Sequence, residues 1–207
     1  MPALRPPAAH QAGWSDVTIA RRVLCLSGSL RRVSANSSAL VAAQRLAPPS
    51  LELQLYDGLG TLPLFNPDDE AGALPAAVLA LRDAVGRADA LLIACPEYAH
   101  GVPGAFKNLL DWLVGSLEFP GKPVLLLNAS ARGSHHAQDA LAEILRTMSA
   151  VLLTADALPV SLPGSGCTPA QVLADTGRCA ELRRALAVLV EATVQPASAG
   201  SAGLFAT

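Results

Sequence analysis

Residues 23–40 read VLCLSGSLRRVSANSSAL, Val23 to Leu40, and the change of character within that stretch decides the fold. Val23, Leu24, Cys25 and Leu26 form a short apolar run without alternation, the pattern of a strand buried on both faces. Small, polar and basic residues follow from Ser27 to Asn36. Leu40, Val41 and Leu46 then mark one face of a helix whose first turn is polar. A strand that feeds a Ser/Gly-rich loop and then a helix start makes an anion cradle. The first N–H groups of a helix have no intrahelical acceptor, and the helix dipole favours negative charge there. Ser27, Ser29, Ser34 and Ser37 offer hydroxyls, Asn36 an amide, and Arg31 or Arg32 a cation that pairs bidentately with phosphate.

Missing motifs narrow the ligand. The loop contains no G-x-G-x-x-G, so the dinucleotide fingerprint fails. Gly121-Lys122 is followed by Pro123, which spoils a P-loop. Hydroxyls with one or two arginines suit a single terminal phosphomonoester, such as that of FMN.

At 207 residues and 51% hydrophobic, the chain can bury a substantial core in one domain. A net charge of −2 gives no general attraction to nucleic acid or to an anionic membrane, and neither is expected as a partner. Cys25, Cys95, Cys167 and Cys179 show no C-x-x-C spacing, and the first two fall in apolar strands where cysteine acts as a small hydrophobe. A reduced, cytoplasmic protein is the simplest expectation. No apolar run has the length of a membrane span, and the first residues lack the apolar core of a secretory signal.

Outward from the cradle, residues 1–18 are Pro/Ala-rich and aperiodic and are expected to be disordered. Leu51, Leu53 and Leu55 alternate with Glu52 and Gln54, which reads as an edge strand. Residues 57–73 read as a long loop around LPLFNPDDE, and Leu74, Val78, Leu81 and Val85 as a second helix. Ala90–Cys95 is a third strand, and Pro103-Gly104 opens a third helix, apolar on more than one face. That breadth implies a subunit contact, hence a homodimer or homotetramer. Val124–Leu127 is a fourth strand, Ala137–Met148 a fourth helix, and Val151–Leu153, continuing toward Val160, a fifth strand. A fifth helix spans 169–194, and 196–207 is a flexible tail. The reading is one α/β domain over 19–195: a doubly wound, five-stranded parallel sheet in the flavodoxin-like order 2-1-3-4-5, with helices on both faces. In such sheets ligands bind beyond the carboxyl ends of the strands, where the order reverses. The loops Ser27–Asn36, Pro96–Gly101 and Asn128–His135 converge on that rim.

Gly28-Ser29-Leu30-Arg31 with Ser34 and Asn36, then Pro96-Glu97-Tyr98, then Pro103-Gly104 with Lys107-Asn108 and Asp111-Trp112, resembles the NADPH-dependent FMN reductase family. That family includes quinone, azo-dye and chromate reductases. The resemblance implies FMN as cofactor, NADPH or NADH as co-substrate and a small-molecule electron acceptor. It implies that Ser29, Arg31, Ser34 and Asn36, with Ser37 beside them, hold the FMN phosphate. Pro96, Glu97 and Tyr98, backed by Ala99, His100 and Gly101, would border the ring, and Ser130, Arg132, Gly133 and Ser134 would close its other side. Two departures are evident: Ala99-His100 follows Tyr98 where many members carry Asn, and the fourth-strand loop holds Arg132 and two histidines.

No catalytic triad is required, because flavin carries the redox chemistry, and none is evident; no catalytic or metal-binding residue is assigned. Adjacent His135-His136 are read as a solvent-facing helix start, since neighbouring residues rarely point at one metal. His100 is open between a ring contact and simple exposure. Glu97 is expected in a structural ion pair with Lys107 or an Arg, and Asp111 and Trp112 in a dimer seam. The expected activity is ping-pong hydride transfer from NAD(P)H to an electron-poor acceptor such as a quinone. The alternatives are a non-enzymatic electron carrier of the flavodoxin kind and an FMN-sensing module.

Overall fold

A computed structural model describes residues 19–130 and 134–194 of the chain. The segments expected to be disordered or flexible, 1–18 and 196–207, lie outside the described residues, as do Arg132 and Gly133.

Strands β1 (Arg21–Ser27), β2 (Leu51–Leu55), β3 (Ala90–Ala94) and β4 (Pro123–Asn128) run parallel, with β5 (Val151–Leu152) and β6 (Leu158–Pro159) completing one sheet. The order is β2-β1-β3-β4-β5, and β6 also pairs with β4. Because successive side chains of a strand point to opposite faces, each unbroken apolar run feeds two cores. Val23, Cys25, Leu92, Leu125 and Leu127 pack under α1 (Ala35–Leu46), α6 (Pro169–Leu173) and α7 (Thr176–Val194). Leu24, Leu26, Leu91, Ile93, Val124 and Leu126 pack under α3 (Ala76–Arg87), α4 (Gly104–Val114) and α5 (His135–Thr147). Each Leu, Ile or Val so buried contributes roughly 1.5–3 kcal/mol against the entropy of ordering the chain. The doubly wound architecture and strand order are those expected, and β2 is the edge strand, with Leu51 and Leu53 inward and Glu52 and Gln54 exposed.

Three elements differ from the sequence reading. The fifth strand is split: β5 pairs with the start of β4 and β6 with its end, and between them Thr154 Oγ1 donates to the Asp156 carbonyl at 2.7 Å in a local turn. The helix expected over 169–194 breaks at Ala174-Asp175, where the Asp175 carboxylate accepts the Arg178 N–H at 3.0 Å and caps a new start. Residues 57–73 are not loop throughout. They hold a 3₁₀ turn (Gly58–Thr61) and α2 (Pro67–Ala71), and Asn66 Oδ1 accepts the Asp68 N–H at 3.1 Å as its cap.

The breadth of α4's apolar surface has an explanation inside the chain. Trp112 is fully buried beneath residues 62–65: its Nε1 donates to the Pro63 carbonyl at 2.9 Å, and its ring meets Phe65 edge-on at 5.0 Å. Asn108 adds Nδ2 to the Pro63 carbonyl at 2.9 Å and accepts the Phe65 N–H at 2.7 Å. Arg82 donates to the Trp112 carbonyl at 2.8 Å and pairs with Glu70 of α2. The seam expected at Trp112 is therefore filled by the chain's own strap, and Asp111 pairs with Lys107 one turn away.

Candidate functional site

At the carboxyl ends of β1, β3 and β4 lies a cavity of about 500 Å³. The cradle forms one end. Ser34 is the N-cap residue of α1, in extended conformation, and its hydroxyl makes no bond to the first turn. The first intrahelical bond runs from the Ser38 N–H to the Ser34 carbonyl, so the N–H groups of Asn36 and Ser37 have no acceptor within the helix. The loop braces itself: Ser27 Oγ lies 2.8 Å from Ser37 Oγ, and Ser29 Oγ accepts the Arg31 N–H at 3.3 Å. Arg31 is exposed, with no ion-pair partner among the described residues.

Close approach of the two loops needs Gly28. Its N–H donates to the Ala94 carbonyl at 2.9 Å, and a Cβ there would lie 2.7 Å from Cys95 Sγ and 3.1 Å from Pro96 Cδ. Beyond this contact the cavity is lined by Pro96, Glu97 and Tyr98 from the loop after β3 and by Ala129, Ser130 and Ser134 from the loop after β4. Tyr98 is half exposed, which leaves the mouth open. Behind it Tyr98 and Gly101 exchange backbone hydrogen bonds of 3.1 and 3.0 Å, closing a turn with Ala99 at φ 50° and His100 at φ 58°. Both residues occupy the left-handed region without being glycine, and such strain concentrates at functional turns.

Glu97 does not pair with Lys107 or an arginine, as expected from sequence. Its Oε2 accepts the Ala137 N–H at 3.0 Å, at the start of α5, and its Oε1 lies 3.1 Å from His100 Nδ1. The Ala137 N–H foremost, opposed by burial and helped by His100 and the His136 charge, holds the carboxyl below its ordinary value of 4.5. Burial pushes the thiols of Cys25 and Cys95 up to about 12, so these strand cysteines stay protonated and unreactive.

The structure brings Ser29, Arg31, Ser34, Asn36, Pro96, Glu97, Tyr98, Ser130 and Ser134 together around this one cavity. Ser37 bonds to Ser27, and Ala99, His100 and Gly101 form the supporting turn, so these four do not line it. Sequence reasoning missed Pro163, Gly164 and Ser165, which close the cradle end of the cavity; the Ala35 N–H donates to the Ser165 carbonyl at 3.0 Å. The signal was present: Pro163-Gly164-Ser165-Gly166 lies just past the carboxyl end of the fifth strand position, on the ligand-binding rim. Among the described residues no group of His, Cys, Asp and Glu is arranged to hold a metal.

Comparison with known proteins shows which chains this one is similar to. A Pseudomonas aeruginosa protein named NAD(P)H-dependent FMN reductase is 46% identical over 112 residues, 53% of this chain and 60% of that protein's own length. An Escherichia coli quinone reductase is 34% identical over 137 residues, covering 64% of this chain and 73% of the relative. Among solved structures, the flavoenzyme NAD(P)H:(acceptor) oxidoreductase FerB of Paracoccus denitrificans superposes with a TM-score of 0.71 at 29% identity, over 83% of this chain and 96% of that one. Residues 21–162, from the first strand to the loop that closes the cradle, match the family model described as NADPH-dependent FMN reductase, and the chain belongs to that family.

Proposed function

We propose that the chain binds FMN in this cavity and works as an NAD(P)H-dependent oxidoreductase that reduces a small electron-poor acceptor such as a quinone. The observation that carries the reading is the join of two unlike halves in one cavity. At one end stand hydroxyls, a spare guanidinium and unpaired helix N–H groups; at the other, a slot lies between Pro96, Glu97 and Tyr98 and the residues Ala129, Ser130 and Ser134. The donor set fits a phosphomonoester on a planar ring system. Ser29, Ser34, Asn36 and Arg31 would hold the phosphate, and Pro96–Tyr98 and Ser130 would orient the ring. Bound FMN supplies the hydride chemistry, and the chain supplies position and access.

The half-exposed Tyr98 leaves one open mouth, which the reductant and the acceptor would occupy in turn. That sharing is the basis for ping-pong kinetics. A homodimer or homotetramer belongs to the same proposal, with exposed Val114 and Leu117 at the end of α4 as its apolar contact.

Purified protein should show flavin absorption that bleaches when mixed anaerobically with NADPH or NADH. Double-reciprocal plots with a quinone should give parallel lines. Bound flavin that neither nucleotide reduces would replace this reading with an electron carrier or an FMN sensor.

A further inference from the structure

The histidines of the rim fall outside the reading so far. His100 sits on the left-handed turn after Tyr98, and His136 on the first turn of α5. Their rings meet edge-on with centroids 4.5 Å apart, and the His136 ring lies 4.2 Å from that of His135. His100 Nδ1 is 3.1 Å from Glu97 Oε1, while Glu97 Oε2 accepts the Ala137 N–H at 3.0 Å. Two ties therefore run in parallel from the loop after β3 to the start of α5. One passes through a carboxylate, the other through paired imidazoles. Deeper in, Gln138 Nε2 donates to the Cys95 carbonyl at 3.3 Å and anchors the same two elements at their base.

We infer that Glu97, His100 and His136 form a latch that sets the width of the ring slot, with His100 and His136 as positioning residues. The argument is mechanical. The wall Pro96–Tyr98 hangs on a turn whose two central residues hold a conformation that L-residues disfavour, so its resting geometry must be imposed from outside. The carboxylate of Glu97 fixes the near side of that turn to a helix N-terminus, which favours its charge. The His100–His136 contact fixes the far side, because an edge-to-face pair is directional and stabilises beyond its buried area. A residue with a Cβ adopts the left-handed region only at a cost. In this chain Ala99 and His100 do so under constraint, and His100 adds the ring contact that supplies it.

The latch deepens the FMN reading and rests on it for its effect on ligand, but its existence can be read from the protein alone. In the full-length chain, amide hydrogen exchange at Ala137 should speed up in His100→Ala and Glu97→Ala and stay as in wild type in Arg31→Ala. In flavin fluorescence titrations, His100→Ala and His136→Ala should weaken riboflavin and FMN by one common factor, about threefold to tenfold, the scale of a lost aromatic pair. His136→Phe, which keeps a ring edge against His100, should restore wild-type affinity, whereas His100→Asn, which keeps a donor for Glu97 but has no ring, should stay as weak as His136→Ala. Unchanged Ala137 exchange together with unchanged riboflavin affinity in both alanine variants would overturn the latch. So would failure of His136→Phe to rescue, or full rescue by the ringless His100→Asn, since either would show that the ring pair does not set the slot. If wild-type protein bound neither flavin, the cofactor reading would fail, and faster Ala137 exchange would still establish the latch.

Discussion

At the residue scale, Arg31 carries the sharpest distinction between ligands. Its guanidinium is exposed at the mouth of a helix-start cradle, with no ion-pair partner among the described residues. Arg31→Ala should weaken FMN by roughly 1.5–3 kcal/mol, the range of a charge-assisted hydrogen bond, and leave riboflavin nearly untouched. A fluorescence titration with both flavins checks this, since equal losses would show that Arg31 does not face the phosphate. Ala99 offers a test of strain in the opposite direction. At φ 50° its Cβ is crowded, and Ala99→Gly removes the Cβ. Thermal unfolding should rise by the equivalent of about 0.5–1 kcal/mol. Gly28→Ala should act the other way: a Cβ 2.7 Å from Cys95 Sγ would force the β1 and β3 loops apart, destabilising the fold by roughly 1–3 kcal/mol.

At the scale of elements, the periodic segments were legible because burial on both faces leaves an uninterrupted apolar run, as in Val23–Leu26 and Ala90–Cys95. The cradle was legible because its chemistry lies in one continuous stretch. What escaped was set by contacts between distant stretches. The breadth of α4 was read as a subunit seam because nothing local says that Pro63 and Phe65, more than forty residues earlier, will return to cover Trp112. The short helix α2 was missed although Asn66, Pro67 and the acidic Asp68-Asp69-Glu70 are helix-start signals, because the surrounding Gly and Pro suggested loop. Glu97 was assigned to the wrong partner for the same reason: the Ala137 N–H lies on another element. The strap has a measurable consequence. Trp112→Phe keeps the contact with Phe65 and loses the bond to the Pro63 carbonyl, so stability in urea should fall by about 0.5–1.5 kcal/mol. Trp112→Glu or Leu110→Glu would bury a charge in a filled core and unfold the chain rather than split an oligomer.

For the whole molecule, acid sensitivity follows from the carboxylates that the fold holds ionised. Glu97 and Asp175 each accept backbone N–H bonds, and each has its folded pKa lowered, chiefly by those bonds. A lowered folded value means that the stabilisation is complete above the ordinary carboxylate range and is lost as pH falls through the folded value. Acid unfolding should therefore set in below about pH 4.5. Glu97→Gln, which cannot ionise, should flatten that limb when circular dichroism is followed against pH. An acid limb of unchanged slope would show that Glu97 carries no such linkage.

The interrupted fifth strand has a further consequence for the chain's solubility in crowded conditions. A long unpaired border of backbone donors and acceptors is a template on which another chain can grow. Beside β4, however, two strands of two residues each are separated by a turn, so this side offers no continuous row to copy. At the opposite border, β2 shows Glu52 and Gln54 to solvent. Both borders are thus poor seeds for fibril growth, and a sheet built from some of the most apolar segments of the chain is shielded from its own tendency to aggregate.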